Sequence, residues 1–315
     1  MRRKGERFRL IVAVAVAAAL LVGASSTPGT GPSPESSPDA IRLMFLGDSI
    51  TGGPGCWRAE VWRDLSDDGY DVDMVGPFTR DDCGGVTDSE GRVWDPDNAG
   101  YGGITTADVT NKVVNRNLLT NYPPDLIVML LGTNDVRAGN DAQKVLDQYT
   151  FLLRLYRDYV PRVTVVIGTL PPIGPSECVD CQAVLDELNP LIPGWAESAS
   201  TPESPVTAAV IHTELDVSTD TVDDLHPNES GNAKIAAAFL PAIEAALDDV
   251  AARRDSSSPL SSESWPATPP SPPSPGCSST GARARPPDPP PDRDPNLSGL
   301  RFRYWGMMKR DPEAP

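Results

Sequence analysis

Histidine is scarce in this chain: 315 residues hold only two, His212 and His226. Neither lies near the paired cysteines, so a mixed Cys/His zinc site has little to draw on. Basic residues are also in short supply, 27 Lys and Arg against 44 Asp and Glu for a formal net charge of −17, with the acidic excess concentrated in 41–250. No basic patch with interleaved aromatics occurs, so nucleic acid and anionic membrane surfaces are repelled, while neutral substrates remain open. The one long apolar run, 10–22, is shorter than the roughly 18 to 20 residues of a bilayer span. It follows Arg2, Arg3 and Lys4 and leads into Val22-Gly23-Ala24, the pattern of a secretory signal peptide over 1–24. No cysteine stands at the cleavage point to take a lipid.

Two stretches are too poor in apolar groups to fold. "SSTPGTGPSPESSPDA", 25–40, reads as a Ser/Pro-rich linker, and 251–315, with "PATPPSPPSP" and "PPDPPPD", as a disordered Pro/Ser-rich tail. One folded domain remains, 41–250. There are five cysteines, and an export signal permits disulfides. Cys178 and Cys181 form a C-x-x-C in a Pro/Gly-rich loop and read as a local structural bridge. Cys56 and Cys83 are expected to pair around the loop that precedes a Gly-rich turn, with free thiols or a shared metal as the alternative. Cys277 stands alone in the tail.

Apolar runs of strand length recur at 41–46, 72–75, 126–131, 163–168 and 206–211, several of them nearly continuous, as for strands buried on both faces. Helical periodicity separates them near 57–68, 105–119, 141–159, 181–198 and 231–249, with Pro190 and Pro193 expected to interrupt the fourth. This alternation predicts a three-layer α/β/α sandwich with about five parallel strands in the order 2-1-3-4-5.

Four polar segments follow or flank these elements where a parallel sheet presents its carboxyl edge. They are Gly47-Asp48-Ser49, the Gly-rich turn 100–103, Gly132-Thr133-Asn134-Asp135, and "DDLHPN" with Asp223, His226 and Asn228. Each alone has a bland reading: a capped strand-to-helix turn, a tight turn, a polar helix entry. His212, at the end of "VTAAVIH", reads as structural. His226 lies three residues after Asp223, a spacing that lets the carboxylate hold Nδ1–H and leaves Nε2 to face a serine. Together the four segments supply a nucleophile, a base and oxyanion donors, the needs of acyl transfer.

In this order the segments resemble the sequence blocks of the SGNH or GDSL hydrolase superfamily over essentially all of 41–250, with "GDSIT", "GYGGITT", "GTND" and "DDLHPN" in turn. "GPGCWR", "GTLPP", "CVDC" and "IPGW" look closer to secreted carbohydrate esterases of family 3, the acetylxylan esterase-like group. The resemblance implies a flavodoxin-like SGNH hydrolase fold, Ser49 as nucleophile, His226 as general base and Asp223 as its orienting carboxylate. It also implies an oxyanion hole of the Ser49 backbone N–H, Gly103 (with Gly102 the alternative) and Asn134. Asp48 and Asp135 read as loop-fixing neighbours. The implied enzyme is a monomeric, secreted serine esterase acting on acetylated polysaccharide or small esters, with neither metal nor cofactor. The alternatives are a lipase, phospholipase or arylesterase on the same machinery, and a non-catalytic carbohydrate-binding module.

Overall fold

The computed structural model describes residues 37–257 apart from position 54. The expected signal peptide, most of the linker, and the tail beyond 257 with Cys277 lie outside the described residues. Seven strands form one sheet: β1 (Ile41–Gly47), β2 (Val72–Met74), β3 (Phe78–Thr79), β4 (Asp97–Gly100), β5 (Leu126–Leu130), β6 (Thr164–Gly168) and β7 (Val206–Ala209). The helices are α1 (Ser49–Gly52), α2 (Trp57–Asp67), α3 (Thr106–Asn115), α4 (Leu118–Asn121), α5 (Thr133–Arg137), α6 (Ala142–Tyr159), α7 (Cys181–Leu188), α8 (Ile192–Ala199), α9 (Val217–Asp220) and α10 (Glu229–Ser257).

β5 and β6 are buried at every position, so their near-continuous apolar sequences face helices on both sides. β1 is flanked on both edges. Leu43 pairs with Leu126 and Met74, and Leu46 with Met129 and Ala99, so β2 and β4 share the edge of β1 opposite β5. The parallel order β2-β1-β5-β6-β7 is the expected 2-1-3-4-5. The expectation lacked β4, which is parallel to β1, and β3, which is antiparallel to β4. "DNAG" has none of the β-branched or aromatic residues that mark a strand. It is held instead by the open edge of β1 and by Asn98, whose side chain donates to the Pro96 carbonyl (2.9 Å) and accepts from the Gly100 N–H (2.9 Å).

Side-chain alternation along β1 and β5 sorts the layers. Trp57 of α2 stacks on Phe239 of α10 and meets Phe45 edge-on, both at 5.0 Å between centroids, so α2 and α10 cover the face to which Phe45 points. Met129 pairs with Leu46 and faces the other way, where the Tyr156 hydroxyl of α6 donates to its Sδ (3.5 Å). α3 and α7 pack on α6. Pro190 and Pro193 divide the fourth predicted helix as expected, with a 3-10 turn at Asn189–Leu191 between α7 and α8. The 105–119 helix is broken at Asn117, whose φ of 53° is left-handed. α10 carries Pro241 within it and runs on to Ser257, into the stretch read as tail. Among the described residues no helix is long and apolar enough to cross a membrane.

Candidate active site

β1 ends at Gly47, and the chain turns at once into α1, whose first residue is Ser49. Asp48 makes the turn: its buried carboxylate accepts from the Ile50 N–H (2.9 Å) and so caps α1. Burial pushes its carboxyl up to about 7, against the pull of that N–H and of His226. Ser49 itself is partly exposed. α1 lies against β4 backbone to backbone. A Cβ on Gly100 would come within 2.3 Å of Gly52 Cα and N, so this approach requires glycine.

The histidine comes from the far end of the chain. The Val222 N–H donates to the His226 carbonyl (2.9 Å), and Thr221 pairs with Pro227 as an isolated bridge, closing a tight loop just before α10. Asp224 turns this loop with a φ of 65°. Its Oδ2 accepts from the Ser176 hydroxyl (2.6 Å), and its carbonyl accepts from the Gly174 N–H (2.7 Å), tethering the loop to the segment after β6. Within it, Asp223 Oδ1 accepts from the His226 N–H (2.7 Å), and Asp223 Oδ2 lies 2.7 Å from His226 Nδ1. Burial pushes the Asp223 carboxyl up, but the hydrogen bonds from the His226 backbone and ring outweigh it and hold the group below its ordinary value. An ionised carboxylate only accepts, so the ring proton resides on Nδ1. Nε2 is then the acceptor, 2.9 Å from Ser49 Oγ.

Asn134 and the Gly-rich turn complete the group. Asn134 Nδ2 donates to the Ile104 carbonyl (3.0 Å) and, at a longer 3.4 Å, to Asp48 Oδ2, which sets it between the turn and the serine loop. Asp135 is fully buried and accepts from the Thr106 N–H (2.9 Å) and hydroxyl (2.7 Å), locking the loop after β5 to the start of α3. Asp48 and Asp135 thus do the loop-fixing expected of them. Gly103 has a φ of 70° and open space where a Cβ would be. Ser49, Gly102 and Gly103 line an open cleft of about 740 Å³. His212 lies apart from this cleft's lining, in a 3-10 turn past the end of β7 with its Nδ1 2.9 Å from Thr169 Oγ1. Burial lowers its basicity.

The cysteines form two disulfides, Cys56–Cys83 and Cys178–Cys181, which removes the free-thiol and metal alternatives for these four. Among the described residues no group of three or more His, Cys, Asp or Glu is placed to hold a metal ion.

Residues 45–234 match the model of the GDSL-like lipase/acylhydrolase family. The chain belongs to this family. This GDSL-like chain is 29% identical over 261 residues to a multidomain esterase of Ruminococcus flavefaciens, covering 77% of the chain and 34% of that relative; it spans about a third of the relative's length. It resembles the crystal structure of an acetyl esterase serine-to-alanine mutant with acetate ion (TM-score 0.59, 30% identity, 67% of this chain and 99% of that one). It is equally similar to a carbohydrate esterase family 3 structure from Talaromyces cellulolyticus (TM-score 0.59, 31% identity, 66% and 99%). A Clostridium thermocellum family 3 carbohydrate esterase shares the fold at 23% identity.

Sequence reading missed two features around the candidate site. One is the tether through Asp224 and Ser176, signalled only by the tolerance of Asp for left-handed backbone. The other is the cleft wall formed by β3, α3 and the residues just past them, including Phe78, Arg80, Lys112 and Arg116. No motif marks these residues, because their common surface exists only after β4 carries the chain back beside β1.

Proposed function

We propose that this chain is a secreted serine esterase that removes short acyl groups, chiefly acetyl, from plant polysaccharide such as xylan. The observation that carries the reading is the continuous hydrogen-bonded line Ser49–His226–Asp223, whose serine end lines an open, polar cleft. His226 Nε2 takes the Ser49 hydroxyl proton as Oγ bonds to the ester carbonyl carbon. The oxyanion is met by three donors. The Ser49 N–H heads α1 with no carbonyl four residues back, the Gly103 N–H lies in the turn, and Asn134 Nδ2 need release only its long contact to Asp48. The tetrahedral adduct collapses, the C–O bond to the sugar breaks, and His226 returns its proton to the departing alcohol. Water then attacks the acyl-serine while His226 takes its proton. The second collapse breaks the acyl–Oγ bond, His226 returns the proton to Oγ, and the carboxylic acid leaves.

The two similar esterase structures support the acetyl preference, and the charged, open cleft supports a sugar leaving group over a long acyl chain. The signal-like N-terminus and two disulfides support export to an oxidising compartment. The test is acetate release from acetylated xylan, with Ser49→Ala as control. Release that persists in the variant overturns the mechanism, and activity that rises from acetyl toward octanoyl esters transfers the assignment to the lipase side.

A further inference from the structure

The chain is strongly acidic, yet the charge changes sign around its cleft. Of the charged side chains that line it, Arg80, Lys112 and Arg116 are cationic, and Asp108 alone is anionic. Asp108 is engaged elsewhere: it closes the capping box of α3, accepting from the Thr105 N–H (3.1 Å) and hydroxyl (2.7 Å). Arg80 reaches toward the nucleophile loop, within 3.0 Å of where a Cβ on Gly53 would sit, and is paired at 3.5 Å with Asp82.

Lys112 and Arg116 differ from Arg80. Among the described residues neither lies within ion-pair distance of a carboxylate. Lys112 Nζ stands 4.7 Å from the centroid of the Tyr101 ring, which is itself braced edge-on by Phe78 at 4.8 Å. That cation–π contact fixes the ammonium at the cleft wall. Arg116 follows one helical turn later, and like charges at this spacing repel. An anion seated between them relieves the repulsion, and the low-dielectric walls of a cleft strengthen the attraction.

We infer that the cleft lined by Ser49 takes a carboxylate-bearing glycan, with Lys112 and Arg116 receiving a uronate group carried near the acetylated sugar. The inference rests on the esterase reading above and adds the charge class of its substrate. It also answers a difficulty that the composition creates. A protein of net charge −17 repels an acidic polymer at long range, so productive docking needs this local reversal.

The test compares acetate release from acetylated xylan bearing glucuronate side groups with release from the same polymer after its carboxyl groups are reduced to primary alcohols. At an ionic strength of about 0.1 M, where repulsion from the rest of the surface is screened beyond about 10 Å, kcat/KM should be about fivefold higher for the carboxylated polymer, the scale of one or two exposed ion pairs. The preference should shrink as salt is raised. In the Lys112→Gln/Arg116→Gln double variant the ratio between the two polymers should fall to one or below, because the chain's net negative charge then acts unopposed. Equal rates on the two polymers with the wild-type protein overturn the inference, as does a preference that survives in the double variant. The wild-type comparison stands even where the variant fails to fold. Absence of Ser49-dependent release from both polymers overturns the esterase reading itself, and the inference with it.

Discussion

Removing the Cys56–Cys83 bridge tests how the cleft is held together. The two cysteines are separated by 27 positions. Loop-closure entropy for a loop of that size corresponds to about 3.5 kcal/mol of stabilisation, acting through the unfolded chain. For a domain of this size such a loss lowers the melting temperature by about 7–14 °C. The bridged segment has few other anchors. Residues 80–93 are mostly exposed. They are held chiefly by buried Trp94, which donates to Asp81 Oδ1 (3.0 Å), and by Asp88, which accepts from the Ser66 hydroxyl (2.8 Å) and pairs with Arg92. The same segment leads out of β3, which carries Phe78, and includes Arg80, so its loosening should reach the cleft as well as the melting curve. The variant is Cys56→Ser/Cys83→Ser, which leaves neither partner of the bridge as a stray thiol, read by scanning calorimetry and by KM for a polymeric ester. A parallel Cys178→Ser/Cys181→Ser variant opens a loop of separation 3 and should lose about half as much. Peptide mapping of the unreduced protein must show a Cys56–Cys83 linked fragment. Absence of that fragment, or a double variant melting within about 2 °C of the parent, refutes the reasoning.

Three further outcomes are expected. Ser49→Ala and His226→Ala should each lose at least roughly 10³-fold in turnover, and Asn134→Ala roughly 10²–10³-fold with little change in KM; a loss confined to KM would assign Asn134 to ground-state binding. Asp48→Asn should alter the pH dependence of stability. The folded carboxyl is raised from 3.8 to about 7, so the native state keeps a proton that the unfolded chain releases across that interval, and the parent loses stability as pH climbs through it. Urea unfolding should therefore show the difference between variant and parent moving in the variant's favour from about pH 4 to pH 7, and parallel profiles would remove Asp48 as the cause. Gly100→Ala forces a Cβ into the Gly52 backbone and should cost roughly 3 kcal/mol or more, together with activity. Gly194→Ala, exposed in α8 with nothing near the added Cβ, should be neutral or stabilising by about 0.5–1 kcal/mol. Similar melting of the two variants would show that the α1–β4 contact is not tight.

What the sequence by itself determined is what short-range physics writes into it. Continuous apolar runs such as "LIVML" and "TVVIG", at strand length and rich in β-branched residues, read as strands covered on both faces, and Pro190 and Pro193 read as an interruption of the fourth helix. Polar residues after such strands fall on the carboxyl edge of a parallel sheet, so Ser49, Asn134 and His226 were legible from the sequence as one candidate site. The local Asp223-x-x-His226 spacing already contained its own hydrogen bond. Tertiary structure decided what depends on partners far along the chain. β4 is a strand only because β1 has an open edge beside it, and its Asp, Asn and Gly residues carry no propensity that announces it. The 2.9 Å contact between His226 Nε2 and Ser49 Oγ joins residues 177 positions apart, and no spacing rule reaches that far. The reversal of charge at the cleft is of the same kind. Lys112 and Arg116 look like ordinary surface cations on a helix until the sheet brings them round the pocket that holds the serine, because an electrostatic surface is a sum over space and not along the chain.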